Sequence, residues 1–216
     1  MRVLAINGSP RKDRNTATIL SSALDGAASQ GAKTELVHLY DLDFKGCKSC
    51  LACKLKGGKS YCKCAQQDGL TPVLEKIPNV DAMILGSPIY FGSVTGEMRS
   101  FIERAAYPYF ALEPLGASMS PKKIKIGLIA TLQADENRVK EMGMDRLFAG
   151  TEMILGRIFG SAESLLVTGT DRWWSDDYTK YISSHEAVAK AKQHREEVFP
   201  VDCRKAFDMG VRLSKK

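Results

Sequence analysis

Short runs that are apolar almost throughout alternate along this chain with longer segments that are apolar on one face only. That alternation limits the fold more than any other feature. Residues 2–7 (RVLAIN), 81–86 (DAMILG), 123–130 (KIKIGLIA) and 164–168 (SLLVT) read as strands, and Lys33 to Leu39 as a more polar one. A strand that is apolar on both sides has no face to give to water, so the sheet is parallel and covered on both faces. The covers are helical. Ile19, Leu20, Ala23, Leu24 and Ala27 recur at helical spacing after an N-cap at Asn15 or Thr16, and Met98, Phe101, Ile102 and Ala105 do so in a helix from about Val94. Thr71-Pro72 opens a short helix that Pro78 stops, a glycine-interrupted helical stretch covers 136–159, and a charged helical region runs from about Ser184 with a break at Pro200. The expected class is α/β, with five parallel strands in the doubly wound order 2-1-3-4-5.

At 216 residues the chain suits one domain over 1–216. Its additions are a cysteine-rich insertion at 41–69, after the second strand, and a C-terminal helical extension from about 184. A composition that is 44% hydrophobic and 26% charged excludes a disordered or collagen-like chain. No apolar run approaches the roughly 18 residues of a membrane span. The opening MRVLAINGSPRK turns polar too soon for a secretory signal, so a cytoplasmic location is expected. The net charge of +6 does not indicate a nucleic-acid partner, because Lys and Arg are scattered. Their densest cluster, Lys45 to Lys63, coincides with the cysteines, and an anionic cofactor accounts better for part of the excess.

In a doubly wound sheet, ligands sit outside the carboxyl ends of the strands, where the strand order reverses. Two distinctive loops fall there. Asn7-Gly-Ser-Pro-Arg-Lys-Asp-Arg-Asn-Thr16 leaves the first strand and enters a helix N-terminus, whose free N–H groups and dipole favour a phosphate. Ser9 and Thr16 offer hydroxyls, Asn15 an amide, Arg11 and Lys12 positive charge. Gly86-Ser-Pro-Ile-Tyr-Phe-Gly92 follows the third strand and offers an apolar and aromatic wall for a flat ring. A third loop, Thr131 to Ala134, reaches the same edge. The dinucleotide pattern G-x-G-x-x-G is absent, since Ser9 and Pro10 follow Gly8. Cys53-Lys-Leu-Lys-Gly-Gly-Lys-Ser60 imitates a P-loop but has cysteine in place of the first glycine.

Five of the six cysteines lie between Cys47 and Cys64. Cys47, Cys50 and Cys53 form a C-x₂-C-x₂-C run, and three thiolates so spaced wrap three corners of an iron–sulfur cube, with a fourth from farther on. Zinc held by Cys47 or Cys50 with Cys53, Cys62 and Cys64 is an alternative, as are free redox-active thiols. Cys203 reads as packing. His38, His185 and His194 are isolated and read as structural. Trp173 and Trp174 follow the fifth strand and would shield a ring, contact a second subunit or pack.

Together, Gly8-Ser-Pro-Arg with Asn15-Thr16 and, some eighty residues later, Gly86-Ser-Pro-Ile-Tyr-Phe-Gly92 resemble the NADPH-dependent FMN reductases of the flavodoxin-like superfamily, over residues 1 to about 170. The resemblance implies that Ser9, Arg11, Lys12, Asn15 and Thr16 hold the FMN phosphate. It implies that Pro88, Ile89, Tyr90, Phe91 and Gly92 line the flavin, with Thr131 beside them. The cysteine run resembles the iron–sulfur flavoproteins, a branch of that group with FMN and a [4Fe–4S] cluster. The fourth ligand is then Cys62 or Cys64. Cys62 has the shorter gap from Cys53. Cys64 stands in the better relation to Asp68, although Gly69 replaces a second acid expected there.

The expected function is that of an FMN-dependent oxidoreductase passing electrons between FMN, a [4Fe–4S] cluster and a redox partner protein or small acceptor. NAD(P)H is a candidate donor, and the family suggests a homodimer or dimer of dimers. Two alternatives remain: an NAD(P)H-dependent FMN reductase acting on quinones, nitro compounds or flavins without a cluster, and a non-enzymatic zinc or thiol sensor on the same scaffold.

Overall fold

The structure, a computed structural model, describes residues 1–170 and 184–215, apart from the side chains of Leu147, His185 and Ala187. Trp173 and Trp174 lie outside the described residues. In chain order the elements are β1 (Arg2–Asn7), α1 (Asn15–Ser29), β2 (Lys33–His38), α2 (Thr71–Leu74), β3 (Ala82–Tyr90), β4 (Ser93–Val94), α3 (Gly96–Ala106), β5 (Ile124–Thr131), α4 (Glu136–Glu141), α5 (Met144–Phe159), β6 (Gly160–Val167), α6 (His185–Gln193) and α7 (Phe199–Leu213). Between β2 and α2 the chain forms only two single 3₁₀ turns, Leu39–Asp41 and Ala52–Lys54.

The main path of the sheet runs β2-β1-β3-β5-β6, with every pairing along it parallel. Among the described residues the expected count of five strands needs correction to six, because β4 pairs antiparallel with the end of β3. The cause is that β3 does not stop at Gly86. Ser87 and Pro88 continue the ladder opposite Ala130 and Thr131, and Ile89 and Tyr90 then pair with Val94 and Ser93. A two-residue turn joins these strands, and it requires positive φ at both central residues. Phe91 at 50° and Gly92 at 79° supply it.

Alternation along the strands divides the apolar residues between two cores. Leu4, Ile6, Met83, Leu85, Ile126 and Leu128 face α3 and α5, meeting Met98, Phe101, Leu155 and Phe159. Val3, Ala5, Ala82, Ile84 and Ile129 face α1 and α7, meeting Ile19, Leu20, Met209 and Leu213. Glycine brings α1 and α7 close. A methyl on Gly210 would sit 1.8 Å from the Ala23 carbonyl oxygen, and one on Gly26 would sit 2.0 Å from that of Phe207.

Several element ends also differ from expectation. Helix α1 begins at Asn15 with Arg14 in the cap position, so neither Asn15 nor Thr16 is the cap. The 136–159 stretch divides at Gly143, whose φ of 64° ends α4 before α5 begins. Strand β6 starts at Gly160, directly from α5. Pro200 sits in the first turn of α7, where its missing N–H costs nothing, rather than breaking a helix.

Candidate functional site

Two clusters of chemistry-bearing residues lie on the α3 side of the molecule, one near each end of that helix. The first is at the carboxyl edge of the sheet. Parallel register brings Asn7 opposite both His38 and Gly86, so β1 and β2 end level while β3 runs on past them to Tyr90. The loop after β1 is tied back on itself. The Asn7 side chain accepts from the Ser9 N–H at 2.9 Å, the Ser9 hydroxyl accepts from the Arg11 N–H at 3.1 Å, and the Gly8 N–H donates to the Gly86 carbonyl at 2.8 Å. Glycine is required at 8 and 86, because a methyl there would fall 2.8 Å from Met98 Cβ or 2.7 Å from Leu20 side-chain carbons.

Thr95 joins this loop to the next. As N-cap of α3 it accepts from the Met98 N–H, its hydroxyl donates to the Gly8 carbonyl at 2.7 Å, and its own N–H donates to the Ser87 hydroxyl at 3.0 Å. The resulting cleft is lined by Ser9, Arg11, Asn15, Thr16, Pro88, Ile89, Tyr90 and Thr131, all expected from sequence, by Arg14, Leu132 and Gln133 of the two loops expected at this edge, and by Thr170, which was not singled out. The Thr16 and Thr131 hydroxyls are within 2.7 Å of each other, crossing from α1 to β5. Lys12 is not in the lining and pairs with Asp41. Phe91 and Gly92 are in the hairpin turn, with the Phe91 side chain fully exposed, and do not line the cleft.

The second cluster is the cysteine segment. All six cysteines are free thiols. Cys47, Cys50, Cys53 and Cys64 line one small cavity, together with Leu51, Glu103, Arg104 and Tyr107. Cys62 does not line that cavity. It lines a larger one, of about 520 Å³, with Lys59, Lys63 and Tyr109, and Cys64 and Arg104 line that cavity as well. Among the described residues, no group of three or more His, Cys, Asp or Glu side chains is positioned to hold a metal ion. The expected metal set is therefore gathered as a lining and not as a formed coordination shell.

The segment is irregular. Ser49, Leu51 and Cys62 have φ values of 54°, 56° and 57°, a region that costs a side-chain-bearing residue about 1–2 kcal/mol each. Two cations hold it in place. Lys54 Nζ donates to the carbonyls of Tyr107, Pro108 and Phe110 and lies 4.7 Å from the Tyr107 ring centroid. Arg104, whose side chain has 0% exposure, donates to the Lys45 carbonyl, the Gln66 carbonyl, the Asp68 carboxylate and the Cys64 sulfur.

These contacts shape the charges. Burial pushes the Asp68 carboxyl up, but hydrogen bonds from Arg104 and the Leu70 N–H, with the Arg104 charge, outweigh it and hold the group below its ordinary value. Burial pushes the Cys53 thiol up, opposed by the neighbouring Lys54 ammonium. Burial likewise holds Lys54 below its ordinary value. Neither cation was singled out in the sequence. The signal for Arg104 was a charge in the apolar row of α3, three residues after Phe101 and beside Ala105.

A parallel sheet with its loops gathered at the carboxyl edge, where the strand order reverses, defines a flavodoxin-like α/β protein. The family model for NADPH-dependent FMN reductases matches residues 1–139, and the chain belongs to that family of FMN-dependent oxidoreductases. It is similar to an iron–sulfur flavoprotein of Archaeoglobus fulgidus, 44% identical over 105 residues, 49% of each chain. It is also similar to an iron–sulfur flavoprotein of Methanocaldococcus jannaschii, 36% identical over 105 residues, 49% of this chain and 52% of that one. The chain thus spans about half the length of these curated relatives. Among solved structures, an NAD(P)H:quinone oxidoreductase from Methanothermobacter marburgensis aligns over 99% of this chain and 98% of its own, with a TM-score of 0.69 at 15% identity, a likeness of fold. No helix among the described residues is long and apolar enough to cross a membrane.

Proposed function

We propose that this chain is an FMN-dependent oxidoreductase of iron–sulfur flavoprotein type, with Cys47, Cys50, Cys53 and Cys64 as ligands of a [4Fe–4S] cluster. The observation that carries the reading is the common cavity of those four thiols in a member of an FMN reductase family. Four soft thiolates in one place suit iron–sulfur chemistry, and a buried guanidinium beside them offsets the negative charge that such a cluster brings.

At the sheet edge, Ser9, Arg11, Asn15 and Thr16 hold the FMN phosphate at the start of α1. Pro88, Ile89 and Tyr90 would line the flavin ring, with Thr131 beside them in the same cleft. Gly8 and Gly86 let the loops lie close to the covering helices, since a methyl at Gly8 would press on Met98 and one at Gly86 on Leu20. When bound, FMN supplies hydride and single-electron chemistry and the cluster supplies single-electron storage. The protein contributes position, hydrogen bonds and the exclusion of water, with NAD(P)H or a redox protein as the electron source.

A second reading is an NAD(P)H-dependent FMN reductase with free thiols, which the match to the NADPH-dependent FMN reductase family supports by itself. Iron and flavin per chain in anaerobically purified protein separate the two. Flavin bands with a broad shoulder near ~400 nm and about four irons per chain support the cluster reading. Flavin without iron supports the second, and a colourless zinc protein overturns both. Within the cluster reading, Cys64→Ala loses iron and Cys62→Ala retains it; the reverse result moves the fourth ligand to Cys62.

A further inference from the structure

The spacing of the cysteines does not distinguish Cys62 from Cys64, yet the fold treats them differently. Cys62 is used through its backbone. Its N–H donates to the Cys53 carbonyl at 3.0 Å, its φ is left-handed, and its side chain lines the larger cavity, which Cys64 shares, but not the small cavity of the other four thiols. Cys64 is used through its sulfur, which accepts from Arg104 Nε at 3.3 Å.

The guanidinium that makes this bond has little freedom. Nη1 donates to the Lys45 carbonyl at 3.0 Å and to the Asp68 carboxylate, and Nη2 donates to the Gln66 carbonyl at 3.2 Å. A wholly buried Arg cannot shed its proton and is costly unless its donors are matched. Its planar fork fixes where the matching acceptors stand. Lys45 precedes the first cysteine of the run by two residues, and Gln66 and Asp68 follow Cys64 by two and four. One side chain from α3 therefore grips the segment on both flanks and offers its Nε donor to a sulfur. Lysine has no fork and would not reach all of these partners together.

We propose that Arg104 is the positioning residue that makes Cys64, and not Cys62, the fourth thiolate of the cysteine site, and that its Nε–H bond to that sulfur raises the reduction potential of the bound cluster. The inference rests on the cluster reading given above. Its physical basis is that an N–H donor and a fixed positive charge stabilise the more negative, reduced state of thiolate-bound iron. Arg104 touches no substrate; it acts through Cys64.

The test compares Arg104→Met and Arg104→Lys with wild type, using FMN content as the check on folding. Lysine keeps the charge and most of the volume, so it remains informative where methionine fails to fold. Iron and sulfide per chain after anaerobic reconstitution should fall by more than half in both variants. The midpoint potential of the cluster that remains, followed by EPR during a redox titration, should shift downward. Ligand choice should also relax: Cys62→Ala, harmless in the wild-type background, should lower iron further in Arg104→Lys. Unchanged potential and iron in a variant that retains FMN overturn the proposal.

A wild-type protein that takes up no iron overturns the cluster reading instead. Amide hydrogen exchange across 45–68 in the metal-free protein then decides the role of Arg104. Loss of protection in Arg104→Lys, confined to that stretch, keeps Arg104 as the clamp that positions Cys64. Unaltered protection removes that role as well.

Discussion

The cleft at the sheet edge and the cysteine cavity meet the same α3 helix and are built on opposite principles. The cleft is made where regular elements end. Its loops are held by short-range bonds, such as Ser9 N–H to Asn7 and Arg11 N–H to Ser9, and by the cap of α3. Regular strands set these positions, so the site is formed as soon as the sheet is. The cysteine segment has no sheet partners. Three of its residues take left-handed backbone angles, and the segment is held by Arg104 and Lys54 bonding to chain some 36 to 59 residues away in sequence. A site built from element ends inherits the rigidity of the fold. A site built from an irregular segment has only the ties made for it, and each tie is a place where it fails separately.

The largest expected effect is one that should erase this difference. In Gly210→Ala the new methyl has no room against Ala23, so α1 and α7 must separate. A cost of about 3 kcal/mol is expected in urea unfolding, and FMN retention and thiol protection should weaken together, because both sites stand on this frame. Weakening of one site alone would show that the two do not share it.

A smaller change should separate them. Lys54→Met leaves the Tyr107, Pro108 and Phe110 carbonyls without their shared donor. A loss of about 1–3 kcal/mol is expected, with faster hydrogen exchange confined to 47–64 and FMN affinity within about twofold of wild type. Spread of the faster exchange to β1 and β3 would mean that the cysteine segment supports the sheet rather than resting on it.

The smallest change is the complementary one. Thr95→Ala removes the α3 cap and the bond to Gly8, for about 1 kcal/mol. FMN affinity should drop several-fold by fluorescence titration while iron content is unchanged. Equal loss of both would show that the two ends of α3 are coupled.

The legibility of the sequence followed the same division. The parallel sheet, its edge and most of the cleft lining were readable, because strands and loop chemistry are set by neighbours in sequence. Where the reading of that edge failed, a tertiary contact was responsible. Ser87 and Pro88 look like loop but pair with β5, and Phe91 and Gly92 form the tight turn of a hairpin that the loop reading did not include. In the cysteine segment the thiols were evident from their spacing alone, and what held them was not.

By itself, then, the sequence determined a covered parallel sheet, two ligand-type loops at its carboxyl edge and a set of closely spaced thiols, all of which depend on local order along the chain. The tertiary structure alone decided which thiols share a cavity. Spacing left Cys62 and Cys64 both open; they share the larger cavity, and only Cys64 also lines the smaller one, where a guanidinium arriving from α3, forty residues on, reaches its sulfur. A buried charge must find its acceptors wherever the fold brings them, and no pattern local to the cysteines carries that information.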